Sequence, residues 1–229
     1  MKKISVFVVA ALFLATYSFA DNKKDVDRVE NAGKVMSEIL SVPEDVPQDL
    51  LDKADCVIVL PSVVKAAFIV GGSYGRGVMT CRTGENFNGK WSAPSMIALE
   101  GGSVGFQLGG QATDFVILVM NPRGATAILS SKVKLGADAS AAAGPVGRNA
   151  EASTDVALKA EFLTYSRAKG LFAGLDLSGT ALYQNKGDME DEYGNADFEA
   201  ILHGSTPVPP NAARFVSTVA RYFVVARDR

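Results

Sequence analysis

The sequence predicts an α+β fold: a curved, mostly antiparallel sheet with helices at the N- and C-terminal ends. The middle of the chain alternates short, β-branched apolar runs with glycine-rich stretches, a pattern typical of strands interrupted by bulges. Both ends instead carry apolar residues at three- and four-residue spacing, as amphipathic helices do. The regular strand–helix alternation of a doubly wound fold is absent from the sequence, so an antiparallel sheet is the expected arrangement.

The first twenty residues have the layout of a cleavable secretory signal. Lys2 and Lys3 form a positive n-region, an apolar run follows over residues 4–15, and small residues precede the cleavage site expected after Ala20. The apolar run is too short to span a bilayer comfortably, and an uncleaved N-terminal anchor is the alternative. Residues 21–229 are then expected to form a single domain in the periplasm or outside the cell. No cysteine lies near the cleavage site, so lipid attachment is not expected.

Charge and cysteine content exclude several classes of function. The chain has 23 basic and 25 acidic residues, so we expect no nucleic-acid binding, and any anionic partner must meet a local basic patch. The two cysteines, Cys56 and Cys81, favour a disulfide in an oxidising compartment, with two buried free thiols as the alternative. Two cysteines and one histidine are too few for a typical structural zinc site. We expect neither a metal nor another cofactor.

Helices are predicted at the start of the expected mature chain. The first covers residues 26–40, where Val29 and Met36 belong to the apolar stripe, and the prolines that follow end it. A short second helix is expected at residues 48–54.

Apolar runs in the middle of the chain predict the strands. The first run, residues 56–60, is expected to stop at Pro61. Asn121 is expected to cap a short helix over residues 122–129. The run at residues 157–165 is interpreted as a strand, although its periodicity also fits a helix. The remaining strands are predicted at residues 67–70, 77–80, 91–99, 105–108, 115–120, 132–136 and 171–183.

The C-terminal part combines an acidic segment with a basic amphipathic helix. Residues 188–199 contain no Lys or Arg, and their carboxylates lack the alternating spacing of a calcium-binding loop, so a solvated acidic surface is expected. A final helix is predicted over residues 211–227, with Asn211 as a candidate N-cap. Amphipathic helices either lie in a membrane interface or cover the protein's own core, and both alternatives stay open for the two terminal helices.

Two glycine-rich segments match short catalytic or anion-binding patterns. Residues 71–75 and 101–105 both fit the G-x-S-x-G pattern of a nucleophile elbow. An elbow requires a helix after the serine and a histidine base, whereas the residues after the second motif are strand-like and His203 is the only histidine. The first segment and Arg76 could also hold an anion, but a glycine-rich hairpin or bulge explains the pattern more simply. We therefore expect no enzymatic activity.

Longer motifs resemble a known family more specifically than these short patterns do. One of them reads Tyr165-Ser166-Arg167-Ala168-Lys169-Gly170. The motifs occupy residues 60–72, 91–94, 101–105, 135–140, 143–148 and 165–174. In this order they resemble the SYLF domain family, and the resemblance extends over roughly residues 26–203.

The resemblance implies lipid binding. Eukaryotic SYLF domains bind phosphoinositides and anionic membranes with an N-terminal amphipathic helix contributing, and yeast members also bind actin filaments. Here the helix at residues 26–40 is the implied membrane contact, and Val29→Asp or Met36→Asp is expected to weaken lipid binding without unfolding the protein. The candidate lipid-binding residues are Lys23, Lys24, Arg28, Val29, Lys34, Met36, Lys65, Arg148, Arg167 and Lys169.

Export would separate this chain from the partners of its eukaryotic relatives. An exported protein does not meet actin filaments, so we do not expect actin binding. The expected partner is an anionic phospholipid surface, with phosphatidylglycerol or cardiolipin as candidates beside phosphoinositides. The alternative function is a structural or protein-interaction domain of the cell envelope without lipid binding, and its protein partner does not follow from the sequence.

Overall fold

The computed structural model describes residues 26–40, 46–67, 70–84, 86–104, 111–130, 132–146, 159–168, 171–194 and 197–224. The expected signal peptide, the strand predicted at residues 105–108, and Lys23, Lys24, Arg148 and Lys169 lie outside the described residues, as does the side chain of Lys65. Within the described ranges, no helix is both long enough and apolar enough to cross a bilayer.

A nine-stranded sheet, curled strongly into an open half-barrel, forms the centre of the described fold. Its order is β5-β9-β3-β2-β1-β4-β7-β6, with β8 paired to β7, and the described pairs are antiparallel except β6–β7. The predicted α+β class with a curved, mostly antiparallel sheet is therefore confirmed. The strands are β1 (Cys56–Ala67), β2 (Val70–Cys81), β3 (Ser95–Val104), β4 (Gln111–Val119), β5 (Val133–Lys134), β6 (Ala141–Ala143), β7 (Phe162–Ala168), β8 (Leu171–Gly174) and β9 (Thr180–Gln184).

Helices precede and follow the sheet, as predicted, and a further predicted helix lies between two strands. The two short helices at residues 186–193 and 198–202 were not predicted. The helices are α1 (residues 26–40), α2 (Gln48–Lys53), α3 (Pro122–Ser130), α4 (Lys186–Tyr193), α5 (Phe198–Leu202) and α6 (Ala213–Tyr222). The side chain of Asn121 accepts the Gly124 N–H at 2.9 Å, so the predicted cap of α3 is confirmed. Asn211 does not cap α6, because a short 3-10 turn (Pro210–Ala212) precedes the helix and the Asn211 amide donates to Glu192 at 2.9 Å.

The prediction that the first strand ends at Pro61 is wrong, because a bulge carries β1 past the proline. The register of β1 against β4 shifts between Leu60 and Val63. Ser62 takes a positive φ of 53°, and its N–H donates to Asp114 at 2.9 Å. A bulge tolerates proline because the missing N–H would have no partner in the ladder.

β1 and β2 are held together by the predicted disulfide. Cys56 and Cys81 are direct partners in the β1–β2 register, and their sulfur atoms are bonded. Both cysteines are buried, with 0% and 1% of their surface exposed. Farther along the pair, a Cβ on Gly77 would lie 1.9 Å from the Val59 carbonyl oxygen, so glycine lets β2 approach the bulged strand closely.

The structure corrects the predicted strands at residues 67–70, 91–99, 157–165 and 171–183. Residue 67 ends β1 and residue 70 begins β2, so the first of these is not one strand. β3 begins at Ser95, directly after Pro94, which cannot donate to a ladder. β7 begins at Phe162, because the described residues just before it form a turn. The last of these runs divides into β8 and β9, which are separated by a turn that contains Gly179 at φ +86°.

The two terminal helices join the same core as the sheet. Val29 and Met36 of α1 and Phe215 and Val219 of α6 are all buried in it. α1 packs closely on α6, since a Cβ on Gly33 would lie 3.5 Å from the Phe215 Cα. The relative positions of the two helices are thereby fixed by direct contact.

Candidate functional site

The apolar stripe of α1 faces the core. Val29 and Met36 are 1% and 0% exposed, so neither reaches a membrane while α1 is docked. This placement favours the alternative in which the stripe covers the protein's own core. The expectation that Val29→Asp or Met36→Asp would leave the fold intact is corrected, because either change would bury an unpaired carboxylate. A lipid contact by these two residues stays a prediction.

The exposed face of α1 is more acidic than basic. Its exposed cation is Lys34, whose ammonium nitrogen lies 3.3 Å from the side-chain oxygen of Asn31. Its exposed acids are Asp27, Glu30 and Glu38. An anionic head group would therefore meet net negative charge on the described part of this helix.

Arg28, a candidate lipid-binding residue, pairs with a buried carboxylate at one end of α1. Its Nη1 lies 2.7 Å from Oδ2 of Asp188, and Nη1 of Arg76 lies 3.0 Å from Oδ1. The Asn185 amide also donates to Asp188 at 2.7 Å. Asp188 is only 6% exposed, which corrects the expectation that the whole acidic segment is solvated. This cluster fastens α1 to α4 and β2.

Arg167, another candidate, fastens the other end of α1. Its Nε and Nη2 lie 3.1 Å and 2.7 Å from Oδ2 of Asp114 on β4. Its Nη1 pairs with Glu38 of α1. Because the described side chains of Arg28 and Arg167 both serve internal ion pairs, Lys34 is the predicted cation that the structure leaves on the surface. Among the predicted residues that the structure describes, the basic side chains do not come together into one site.

The glycine-rich segment of β2 does not form an anion site around Arg76. The Arg76 Nε donates to the Tyr74 hydroxyl at 2.7 Å, in addition to the ion pair with Asp188. Nearby, Lys132 pairs with Glu100, and this hydrogen bond lowers the pKa of the Glu100 carboxyl. The charged groups here therefore neutralise one another.

The elbow motifs do not assemble a catalytic centre among the described residues. Their serines lie on β2 and β3, and the Ser73 hydroxyl is 3.5 Å from the Gly101 carbonyl oxygen. His203 is exposed and lies 3.7 Å from Glu199. In the described ranges, no three His, Cys, Asp or Glu side chains cluster closely enough to hold a metal ion.

A groove that the sequence did not predict lies beside α6. It has a volume of about 730 Å³, and we call it the apolar groove. Its lining residues are Arg82, Asn88, Gly89, Lys90, Trp91, Val216, Ala220, Phe223 and Val224. Val224 is 57% exposed, which is unusual for a large apolar side chain and leaves apolar surface open to a ligand.

Arg82 builds the wall of the apolar groove. It is 2% exposed and donates to the carbonyls of Ala54, Phe223 and Val224 at 3.2, 2.9 and 3.0 Å. Its guanidinium lies 4.7 Å from the Trp91 ring centroid, and the Trp91 ring meets the Phe223 ring edge-on at 5.5 Å. These contacts join the two halves of the groove wall. Its two halves are more than 100 residues apart in sequence, so no local pattern signals it.

A second, polar cavity of about 430 Å³ lies at the start of α3, and we call it the polar pocket. It is lined by Asn121, Arg123, Gly136, Ala137, Asp138, Ala139, Ser140, Lys159 and Glu161. Residues 136–140 belong to one of the motifs that carry the family resemblance. The motif was visible in the sequence, but the arginine, lysine and glutamate that complete the pocket come from other segments.

Comparison with known proteins identifies the family of the chain. Residues 100–222 match the Ysc84 family, described as "Las17-binding protein actin regulator". An SH3 domain-containing protein of Schizosaccharomyces pombe is 34% identical over 194 residues, which are 80% of this chain and 44% of the relative. SH3 domain-containing YSC84-like protein 1 of Homo sapiens is 35% identical over 170 residues, 73% of this chain and 48% of the relative. LAS seventeen-binding protein 3 of Saccharomyces cerevisiae is 34% identical over 179 residues, which are 76% of this chain and 38% of the relative.

The chain belongs to the Ysc84 family, which confirms the SYLF resemblance. This family consists of actin-related binding domains and is not a known enzyme family. The chain spans about half the length of the curated relatives it matches.

Proposed function

We propose that this chain is an exported lipid-binding domain that takes an anionic amphiphile into the apolar groove. The observation that carries the proposal is the groove itself, with apolar side chains beside two cations. Its volume of about 730 Å³ lies within the usual range of small-molecule sites, about 300–1,000 Å³. The signal-like residues 1–20 and the Cys56–Cys81 disulfide support export to an oxidising compartment.

The two ends of an amphiphile would meet different side chains. Val216, Ala220 and Phe223 provide apolar surface for an acyl chain. Arg82 is occupied by backbone carbonyls and shapes the groove, whereas Lys90 is exposed at its edge and attracts an anionic head group. This division matches the chemistry of phosphatidylglycerol, cardiolipin or a phosphoinositide.

The proposal moves the lipid contact from α1 to α6. In the docked structure, α1 offers a lipid neither its buried stripe nor a basic face. Its contribution is to hold α6 in place through the close contact at Gly33 and Phe215. Direct insertion of α1 would require both ion-pair clusters at its ends to open.

Trp91 provides a direct test, because it is the only tryptophan of the chain and lines the groove. Lysophosphatidylglycerol with a brominated acyl chain is titrated into the purified protein, and quenching of Trp91 fluorescence is measured. Quenching is expected, and it should be weaker with brominated lysophosphatidylcholine. Ala220→Leu fills the groove and should reduce quenching. Ala213→Leu, at an exposed alanine of the same helix outside the groove, is the matched control.

Two results would overturn this proposal. Absence of quenching by the anionic lipid would show that the groove does not take an acyl chain. Equal quenching in the Ala220→Leu and unsubstituted proteins would show that lipid contacts Trp91 without entering the groove. Cell fractionation, with sequencing of the mature N-terminus, tests the export part separately, since a purely cytoplasmic, uncleaved protein would contradict it.

The second candidate is a domain of the cell envelope that binds another protein without lipid. The family description and the name of the Saccharomyces cerevisiae relative both refer to binding of a protein, Las17. Co-purification of one partner in high salt, combined with no lipid quenching of Trp91, would favour this candidate. Since an exported chain would not meet actin filaments, actin is not the partner we propose.

A further inference from the structure

The polar pocket carries both signs of charge in a small space. Its cations are Arg123 and Lys159, and its carboxylates are Asp138 and Glu161. Equal numbers of the two signs suit a small molecule that is itself both positively and negatively charged better than they suit a polyanion or a bare cation. The arrangement of the four groups indicates which end of such a molecule lies where.

Glu161 is the anchored group of the pocket, and Arg123 pairs with it from the surface. Glu161 is 8% exposed, and its Oε2 accepts hydrogen bonds from the N–H and hydroxyl of Ser140 at 2.7 and 3.2 Å. Its Oε1 lies 3.1 Å from Nε of Arg123, whose side chain is 86% exposed. Because this ion pair uses Nε, the two terminal amino groups of the guanidinium stay available for an oxyanion.

The start of α3 adds positive potential beside Arg123. Arg123 lies in the first turn of α3, directly after Pro122, and Asn121 caps the helix. The N-terminus of a helix carries partial positive charge, which favours a phosphate group nearby. Lys159 is an exposed cation of the same pocket. The guanidinium, the ammonium and the helix end therefore form the anion-binding part.

Asp138 supplies the opposite charge. Its Oδ2 accepts the Lys134 N–H at 2.8 Å, which fixes the carboxylate at the turn before β6. Among the described residues, no ion pair joins Asp138 to Lys159, although both line the pocket. A positive group of a ligand can therefore meet Asp138 while its negative group meets Lys159 and Arg123.

We propose that the polar pocket binds a phosphoethanolamine group, with the phosphate on Arg123 and Lys159 and the ammonium on Asp138. A primary ammonium fits better than a quaternary one, because the described lining residues include a carboxylate acceptor and no aromatic side chain. The group can come from a free phosphoethanolamine or from the head group of a phospholipid. This site is separate from the apolar groove, and the inference does not rest on the proposed function.

The test is a titration of the isotope-labelled protein followed by NMR amide shifts at residues 136–140. The ligands are phosphoethanolamine, phosphocholine, ethanolamine and inorganic phosphate at millimolar concentrations. Phosphoethanolamine is expected to bind most tightly. Lys159→Gln should weaken the binding of phosphoethanolamine and of phosphate alike, by about three- to fivefold, as for exposed charge pairs. Asp138→Asn keeps an oxygen that can accept the Lys134 N–H. It should weaken the binding of phosphoethanolamine but not the binding of phosphate.

The selective loss of phosphoethanolamine binding in Asp138→Asn, with phosphate binding unchanged, is the decisive result. Equal binding of phosphate and phosphoethanolamine, unaffected by Asp138→Asn, would overturn the proposal, as would no shift with any ligand. Lys186→Gln, at an exposed lysine of α4 outside the pocket, is the control and should change nothing. Co-sedimentation with vesicles of phosphatidylethanolamine and phosphatidylcholine, compared with phosphatidylcholine alone, distinguishes the lipid source. Binding of the soluble compound without extra co-sedimentation assigns the site to the free molecule.

Discussion

The two terminal helices have similar sequence patterns but different surroundings. α1 turns its apolar stripe entirely into the core, shows a mainly acidic outer face and is held by an ion-pair cluster at each end. α6 buries Phe215 and Val219 in the same core, whereas its exposed Ala220 lines the apolar groove. The difference shows that an amphipathic pattern identifies a helix with an apolar face, but not what covers that face.

The largest expected effect tests the burial of α1. Met36→Asp should lower the free energy of unfolding by about 3–5 kcal/mol, because an uncompensated charge would lie in the core. Urea unfolding measures this loss. Lys34→Asp, on the exposed face of the same helix, is the control and should change stability little. A Met36→Asp protein as stable as the unsubstituted one would contradict the docked position of α1.

The next effect concerns the disulfide that joins β1 to β2. Replacing Cys56 and Cys81 together by alanine should cost about 3 kcal/mol, since the bridge spans a separation of 25 residues. Thermal and urea unfolding of the double variant measure the loss. Reduction of the unsubstituted protein should give a similar decrease. Unchanged stability in both experiments would argue against a structural role for the bridge.

A smaller effect on stability is expected from a substitution that affects α1 more than α6. Asp188→Asn removes the charge that Arg28 and Arg76 share and should cost about 2 kcal/mol, as for hydrogen bonds to charged groups. Hydrogen exchange should accelerate in α1 more than in α6, because α1 loses one of its two ion-pair clusters. Equal acceleration in both helices would mean that they open as one unit.

The smallest effect concerns the head group. Lys90→Gln should weaken binding of lysophosphatidylglycerol by about fivefold at low salt, the contribution of one cation near an anionic head group. Lys34→Gln, on the exposed face of α1, should leave this binding unchanged. The Trp91 quenching titration measures both. A larger loss of lysophosphatidylglycerol binding with Lys34→Gln than with Lys90→Gln would indicate that α1, and not the groove beside α6, contacts the lipid.

Local patterns predicted a helix or strand well where the residues that determine it lie within or beside that element. Asn121 and Pro122 marked the start of α3, and the stripe at residues 26–40 marked α1. The strand end at Pro61 was wrong, because a bulge supported by Asp114, 52 residues away, accommodates the proline. Arg28 lies on the helix predicted at residues 26–40, whereas Arg167 lies on β7, beyond the end of the strand predicted at residues 157–165. The acidic partners of both arginines are set by long-range packing.

The sequence by itself determined the α+β class, the presence of helices at both ends of the sheet and the family, and it favoured the Cys56–Cys81 disulfide. These features depend on residue spacing and on extended motifs, both of which are local. Only the tertiary structure decided which face of α1 is covered and which charges are neutralised. It also created the apolar groove, where Arg82 binds the carbonyl of Phe223, 141 residues away. Contacts of that range follow from the curl and strand order of the sheet, and no short segment encodes them.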